Sequence, residues 1–233
     1  MIQGMSGLMS VTGDADGPPM KAGVAFTDIF SGLYATIAIQ AALAQRDRTG
    51  RGQHVDISLL DSAVAVTANQ AMNYLATGEA PGRLGIAHPN LMPYEVFPAA
   101  DGWLIVAVGN DRQWRAFCDV LGAQDLGSDR RYATNADRLA HRADLTARLK
   151  ALTGAVARDA LLAACEGAGV PAGPINDLED VFADPQVQHR GLRQDADGFP
   201  SVRAPFVFSE AELAAPRAAP ALDADGPAIR KDG

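Results

Sequence analysis

Apolar positions recur along the chain at two periods, and the changes between them mark out its elements. From Thr27 a helical period runs to about Arg46, closed by the turn Asp47-Arg48-Thr49-Gly50-Arg51-Gly52. His54, Asp56 and Ser58 then alternate with Val55 and Ile57, which predicts a short strand. Val64, Ala68, Ala71, Met72 and Leu75 restore helical spacing from Leu59 to a stop at Gly78. Beyond the breaker-rich stretch Pro81–Asn90, Pro93-Tyr94-Glu95-Val96-Phe97 and Trp103–Val108 flank Ala100-Asp101-Gly102, which predicts a hairpin with glycine supplying the positive φ of its turn. Helices are predicted over 112–121, 136–152 and 158–168, then an extended segment over 169–175 and two short helices over 178–182 and 185–190. From about Glu210 the chain is rich in Pro, Ala and Asp and reads as loosely ordered. At the other end, Ile2, Met5, Leu8 and Met9 share one face of a short helix, and Gly13–Pro19 is a loop. The segment therefore reads as the interior of a larger fold.

Composition narrows the class. With 48% hydrophobic and 21% charged residues in 233, the chain can bury a core of ordinary size. A net charge of −8 and a pI near 4.9 argue against nucleic acid or an anionic membrane as partner, because both require a basic surface. A small anion held by a local basic or N–H pocket stays compatible. Val24–Ala44 has the length of a membrane span, but it carries Thr27, Asp28, Ser31, Thr36 and Gln40 and is expected to be a buried core helix. No basic leader precedes it, so the expected location is cytoplasmic. Cys118 and Cys165 sit in apolar helical settings without CxxC spacing and are expected to be buried thiols.

Common catalytic motifs are missing from the sequence: no Gly-x-Ser-x-Gly, Gly-x-Gly-x-x-Gly or Walker-type loop is present. The four histidines, His54, His88, His141 and His189, lack metal-ligand spacing, and no metal is expected. More specific are four stretches in order. They are Met5-Ser6-Gly7-Leu8-Met9-Ser10-Val11-Thr12-Gly13 with Ala25–Ala35; Arg48–Asp61; Ala87-His88-Pro89-Asn90 through Pro93-Tyr94 to Ala107-Val108-Gly109-Asn110; and Gly169–Ile175 with Asp184-Pro185-Gln186-Val187. Together they resemble the class III (CaiB/BaiF-type) CoA-transferase family, from Met1 to about Phe208.

The resemblance implies an α/β fold: part of a Rossmann-like, CoA-binding large domain over 1–85, a smaller α/β domain over 90–185, and a return to the large domain with a loose tail over 190–233. It also implies an interlocked homodimer for the full-length protein. The chemistry it implies is CoA exchange between an acyl-CoA, such as succinyl-CoA, and a free carboxylic or dicarboxylic acid through an aspartyl-CoA thioester. That chemistry needs no metal or bound cofactor beyond coenzyme A as substrate. By this register no catalytic residue lies in the chain. The nucleophilic aspartate falls about two residues before Met1, and the chain alone is expected to be inactive; Asp28 reads instead as a first-turn acid. Gly32 and Leu33 are placed beside CoA, while His88 and Asn90 are candidate contacts to the acceptor carboxylate. Asn110 is a third substrate-binding candidate, although its place just before a helix favours a cap. Arg83, Arg112 and Arg115 are possible carboxylate partners, and Asp111 is a possible acid for the proton exchange of an acyl-CoA racemase, the second reading. A non-catalytic subunit or remnant is the third.

Overall fold

The computed structural model describes residues 1–231, which divide after Pro174 into two units, Met1–Pro174 and 175–231. The first unit begins with helix α1 (Ile2–Met5) and a 3-10 turn over Leu8–Val11, then α2 (Phe26–Thr49), α3 (Leu59–Ala65) and α4 (Ala68–Thr77). Gly50 and Gly78, at φ 71° and 75°, stop α2 and α4 by donating their N–H groups to Arg46 O and Tyr74 O, both at 2.7 Å. The predicted strand over 54–58 is not formed. Ser58 has extended backbone, but among the described residues no second strand lies beside this segment to supply the ladder. Ser58 instead caps α3, its Oγ accepting from Asp61 N–H at 2.9 Å. The single helix predicted over Leu59–Gly78 is two helices. The break falls at β-branched Val66 and Thr67, where the Thr67 hydroxyl donates to Val64 O at 2.7 Å and competes with helix continuation.

Helix α2 corrects the expectation of a buried core helix. Of its residues only Thr27 is buried, while Ile29, Leu33 and Ile37 along one face are 50, 54 and 64% exposed. Its length and composition would suffice to cross a membrane. Among the described residues its principal neighbour is α3, which is too short to cover a helix of 24 residues.

The hydrophobic core lies between Met92 and Val170. Strands β1 (Tyr94–Ala99) and β2 (Gly102–Ala107) pair antiparallel, Phe97 opposite Leu104, and β3 (Ala172–Pro174) adds to the far edge of β2. Alternation puts Phe97, Leu104 and Val106 on the covered face, each fully buried and worth about 1.5–3 kcal/mol of hydrophobic transfer. Against that face pack α5 (Asp111–Val120), α8 (Arg142–Thr153) and α9 (Arg158–Gly167). Trp114, Phe117 and Cys118, Leu145 and Leu149, and Leu161 and Cys165 point inward at helical spacing. The β1–β2 hairpin is as predicted, but its cause is not: Gly102 does not adopt positive φ, and it opens β2. Asp101 matters through its carboxylate, which accepts from Arg158 N–H at 2.7 Å in the first turn of α9.

Between α5 and α8 the chain forms α6 (Gln124–Ser128), a 3-10 turn at Arg130–Tyr132 and α7 (Asn135–Ala140). The helix predicted over 136–152 is interrupted at His141, whose φ of −111° and ψ of 22° leave the helical region. In the second unit α10 (Leu178–Ala183) and α11 (Pro185–His189) are capped by Asp177 and Asp184. A hairpin follows, β4 (Arg193–Ala196) with β5 (Phe199–Val202), turning at Asp197-Gly198 with φ 54° and 86°. This Asp-Gly pair is a hairpin signal the sequence reading did not use. Helix α12 (Gly226–Ile229) lies in the tail.

Candidate active-site loop

The breakers that end helical periodicity at Pro81, Gly82, Gly85 and Pro89 leave residues 83–92 without repeating structure, so their backbone groups need partners elsewhere. At the near end the loop is tied to the loop over 13–17. Gly85 N–H donates to Gly13 O at 3.0 Å, and Arg83 donates to Asp14 O and Gly17 O at 3.1 and 2.7 Å. The far end is tied to the core domain. His88 N–H donates to Tyr94 O at 2.8 Å, and Asn135 grips the backbone twice, donating to Asn90 O at 2.9 Å and accepting from Met92 N–H at 3.0 Å. Arg142, from the first turn of α8, donates to His88 O at 2.8 Å and Pro89 O at 3.3 Å.

Two of the sequence-predicted residues meet in this loop. The His88 ring stacks on Tyr94 with centroids 5.0 Å apart and planes 9° from parallel, and its Nδ1 accepts from Asn90 N–H at 3.1 Å. A neutral imidazole that accepts at Nδ1 carries its proton on Nε2, so this network assigns the tautomer that presents a donor. Asn90 turns its side chain to Asn73 and Asn69 on α4, at 3.3–3.5 Å. Asn110 is elsewhere, at the head of α5. Its Oδ1 accepts from Gln113 N–H at 3.0 Å while Gln113 Oε1 accepts from Gly109 N–H at 2.9 Å, a reciprocal cap.

The anchoring of this loop between the amino-terminal segment and a sheet-and-helix core can be set beside known proteins. Residues 1–226 match the model of CoA-transferase family III. The chain belongs to this family. It is 53% identical over 227 residues to a succinate–glutarate CoA-transferase of Agrobacterium fabrum, covering 95% of this chain and 57% of that one. The mouse succinyl-CoA:glutarate CoA-transferase is 43% identical over 188 residues, 81% of this chain and 43% of the relative. A crystal structure of a CaiB/BaiF family protein from Brucella suis superposes with a TM-score of 0.84 at 52% identity, over the whole of this chain and 61% of that chain. The chain thus spans about three-fifths or less of the length of these family III relatives.

Two hollows adjoin the amino-terminal segment of this family III chain. One, of about 820 Å³, lies among Met1, Gln3, Lys21, Val24 and Asp28. The other, of about 220 Å³, is bounded by Ser6, Ser10, Thr67, Gln70 and Tyr74. Gln70 Oε1 is buried there without a hydrogen-bond partner among the described residues. Gly32 and Leu33 lie on the open face of α2; a Cβ on Gly32 would meet nothing within 4 Å, and no hydrogen bond among the described residues ties them to the His88 loop. Asp28 is the acid of the first turn of α2.

The remaining sequence candidates have structural employment or none. Arg83 is spent on carbonyls, and Arg112 and Arg115 are exposed on α5. Asp111 accepts from Arg138 at 2.9 Å. The sequence reading missed Arg138 and Arg142. Arg138 is fully buried, donating also to Met92 O at 2.7 Å, Tyr132 O at 3.0 Å and Ala133 O at 3.3 Å, with its guanidinium 5.4 Å over the Trp114 ring. Arg142 had a legible signal: a cation in the first turn of a helix opposes the helix dipole, which marks it as placed for another purpose. Burial draws its pKa down, partly countered by the nearby Glu95 carboxylate, and it stays protonated.

Proposed function

We propose that the polypeptide to which these residues belong transfers CoA between succinyl-CoA, or a similar acyl-CoA, and a free dicarboxylate such as glutarate. The observation that carries this reading is 53% identity, through nearly the whole chain, to a succinate–glutarate CoA-transferase. The supporting local feature is a histidine fixed by stacking and by its Nδ1, so that Nε2–H is offered to a carboxylate without further ordering.

In this reading a carboxylate nucleophile, an aspartate in the segment before Met1, attacks the thioester carbonyl. The C–S bond breaks, a mixed anhydride forms and CoA leaves as thiolate. The thiolate attacks the enzyme's side of the anhydride, giving aspartyl-CoA thioester and releasing the first acid. The acceptor carboxylate then attacks the aspartyl thioester, and the expelled thiolate takes the acceptor's acyl group, regenerating the aspartate. Atoms and charge balance with carboxylates and CoA alone. In the same reading His88 and Asn90 contact the acceptor carboxylate, Asn110 is a further substrate contact only if substrate reaches the head of α5, and Gly32 and Leu33 flank CoA. The bare Ile29–Leu33–Ile37 face of α2 is an interior surface of the longer protein, covered by its remaining residues or by a partner in an interlocked homodimer. The test is transfer by the longer polypeptide from succinyl-CoA to labelled glutarate, with the 233-residue chain in parallel. Labelled glutaryl-CoA from the longer form supports the proposal; its absence from a folded preparation rejects it.

A further inference from the structure

We infer that Arg142 is a positioning residue for acceptor recognition, holding the carbonyls of His88 and Pro89 so that the His88 ring meets the acceptor carboxylate. This rests on the reading of His88 given above.

The argument begins with where Arg142 stands and what it does not touch. It occupies the first helical position of α8, where the helix's free N–H groups already make the potential positive. No carboxylate lies within 4 Å of its guanidinium among the described residues. Its donors go instead to consecutive carbonyls, His88 O at 2.8 Å and Pro89 O at 3.3 Å. Both bonds leave Nη2, while Nη1 faces Met92 Sδ at 3.9 Å, so the planar guanidinium is fixed through two nitrogens where a lysine ammonium has one.

The carbonyl it holds most closely belongs to His88 itself. On the same residue, His88 N–H is tied to Tyr94 O, the ring lies on the Tyr94 ring, and Nδ1 is tied to Asn90 N–H. The backbone of His88 is thus fixed at both its donor and its acceptor, and its ring at one face and one nitrogen. Nε2 is the polar atom of the residue with no partner in these bonds. Asn135 completes the far anchor through Asn90 O and Met92 N–H. Without Arg142, the His88–Pro89 peptide loses its anchor on α8 while the Tyr94 and Asn135 anchors remain, so the loop loosens at the residue that faces substrate.

Displacement by about 1 Å at such a site costs up to a hundredfold in rate. The experiment is a double-mutant cycle in the longer polypeptide, with His88→Ala, Arg142→Gln and both together. KM for glutarate and KM for succinyl-CoA are measured separately, and hydrogen exchange is followed over 85–92. The inference expects R142Q to raise KM for glutarate about tenfold or more, to leave KM for succinyl-CoA within twofold, and to speed exchange at the His88 and Asn90 amides. In the H88A background R142Q should add less than twofold, because Arg142 acts through His88; R142K should restore only part of the affinity. An equal rise in both backgrounds overturns the inference and leaves the site reading intact. So does an unchanged glutarate KM in R142Q when H88A alone raises it. If H88A leaves the glutarate KM unchanged, both the site reading and the inference fail.

Discussion

Replacing Arg138 by alanine removes the donors that satisfy the interior between α5, α7 and β1. The side chain is fully buried and donates to three main-chain carbonyls, of Met92, Tyr132 and Ala133, and to the Asp111 carboxylate. The Asp111 carboxylate is 44% exposed, so water replaces that bond and it adds little. The bonds to Met92 O and Tyr132 O are buried, and each of these carbonyls left unpaired costs about 1–3 kcal/mol, while Ala133 O is partly open to water. With the space left beside the Trp114 ring, the expected loss is about 3–5 kcal/mol, the sum of two unpaired buried carbonyls and a cavity. Methionine fills most of that space and leaves the carbonyls unpaired, so R138M should lose about 2–3 kcal/mol. Urea unfolding followed by Trp114 fluorescence, in a Trp103→Phe background so that a single indole reports, measures both. An R138A loss below about 1 kcal/mol would refute the reasoning, because it would mean that those carbonyls are hydrated in the native state.

Three further outcomes are expected. Asp129, Asp137 and Asp144 are held below the usual carboxylate range by hydrogen bonds from Arg131, Thr134 and Tyr132 respectively. Groups whose folded pKa is lowered stabilise fully above the unfolded value near 4 and lose that contribution as pH falls through the folded value, so the urea midpoint should be flat from about pH 7 to 5 and fall below about pH 4. Tyr132→Phe should remove part of that fall, and a midpoint constant down to pH 3 contradicts the assignment. Burial pushes the Cys118 thiol up to about 12 and the Cys165 thiol to about 11, so neither should react with a thiol reagent at pH 8 until the core unfolds; rapid labelling of the native protein would exclude their placement. Asn110→Ala should cost about 1 kcal/mol through loss of the α5 cap, while Asn110→Ser should restore most of it; equal stability of all three proteins would mean the cap is not formed in solution.

Much of the core domain was legible because its signals are local. The turn at Ala100-Asp101-Gly102 between two apolar segments marked the hairpin, and the apolar helical settings of Cys118 and Cys165 marked them as buried. The strand read at 54–58 failed for a non-local reason: alternation describes a residue's two faces but does not supply a neighbouring strand. The same limit applies to α2, whose apolar residues correctly indicate a helix that needs covering, although the covering is not among the described residues. The family was legible in order and spacing. His88 and Asn90 were named singly as candidates, and the bond from Asn90 N–H to the His88 ring was not foreseen. Arg138 was missed because a buried arginine and an exposed one look alike in sequence, and Arg142 because its one local signal, a cation in the first turn of a helix, was not used. What the sequence does not show is the carbonyl each holds from more than 40 residues away, Met92 O for Arg138 and His88 O for Arg142.

The most direct measurement is the intact mass of the longer polypeptide after incubation with succinyl-CoA alone. A carboxylate-based transferase should gain the mass of CoA less one water, and glutarate should discharge the adduct with formation of glutaryl-CoA. A polypeptide that binds succinyl-CoA without covalent gain, or that only exchanges the α-proton of an acyl-CoA in deuterated water, would contradict the account.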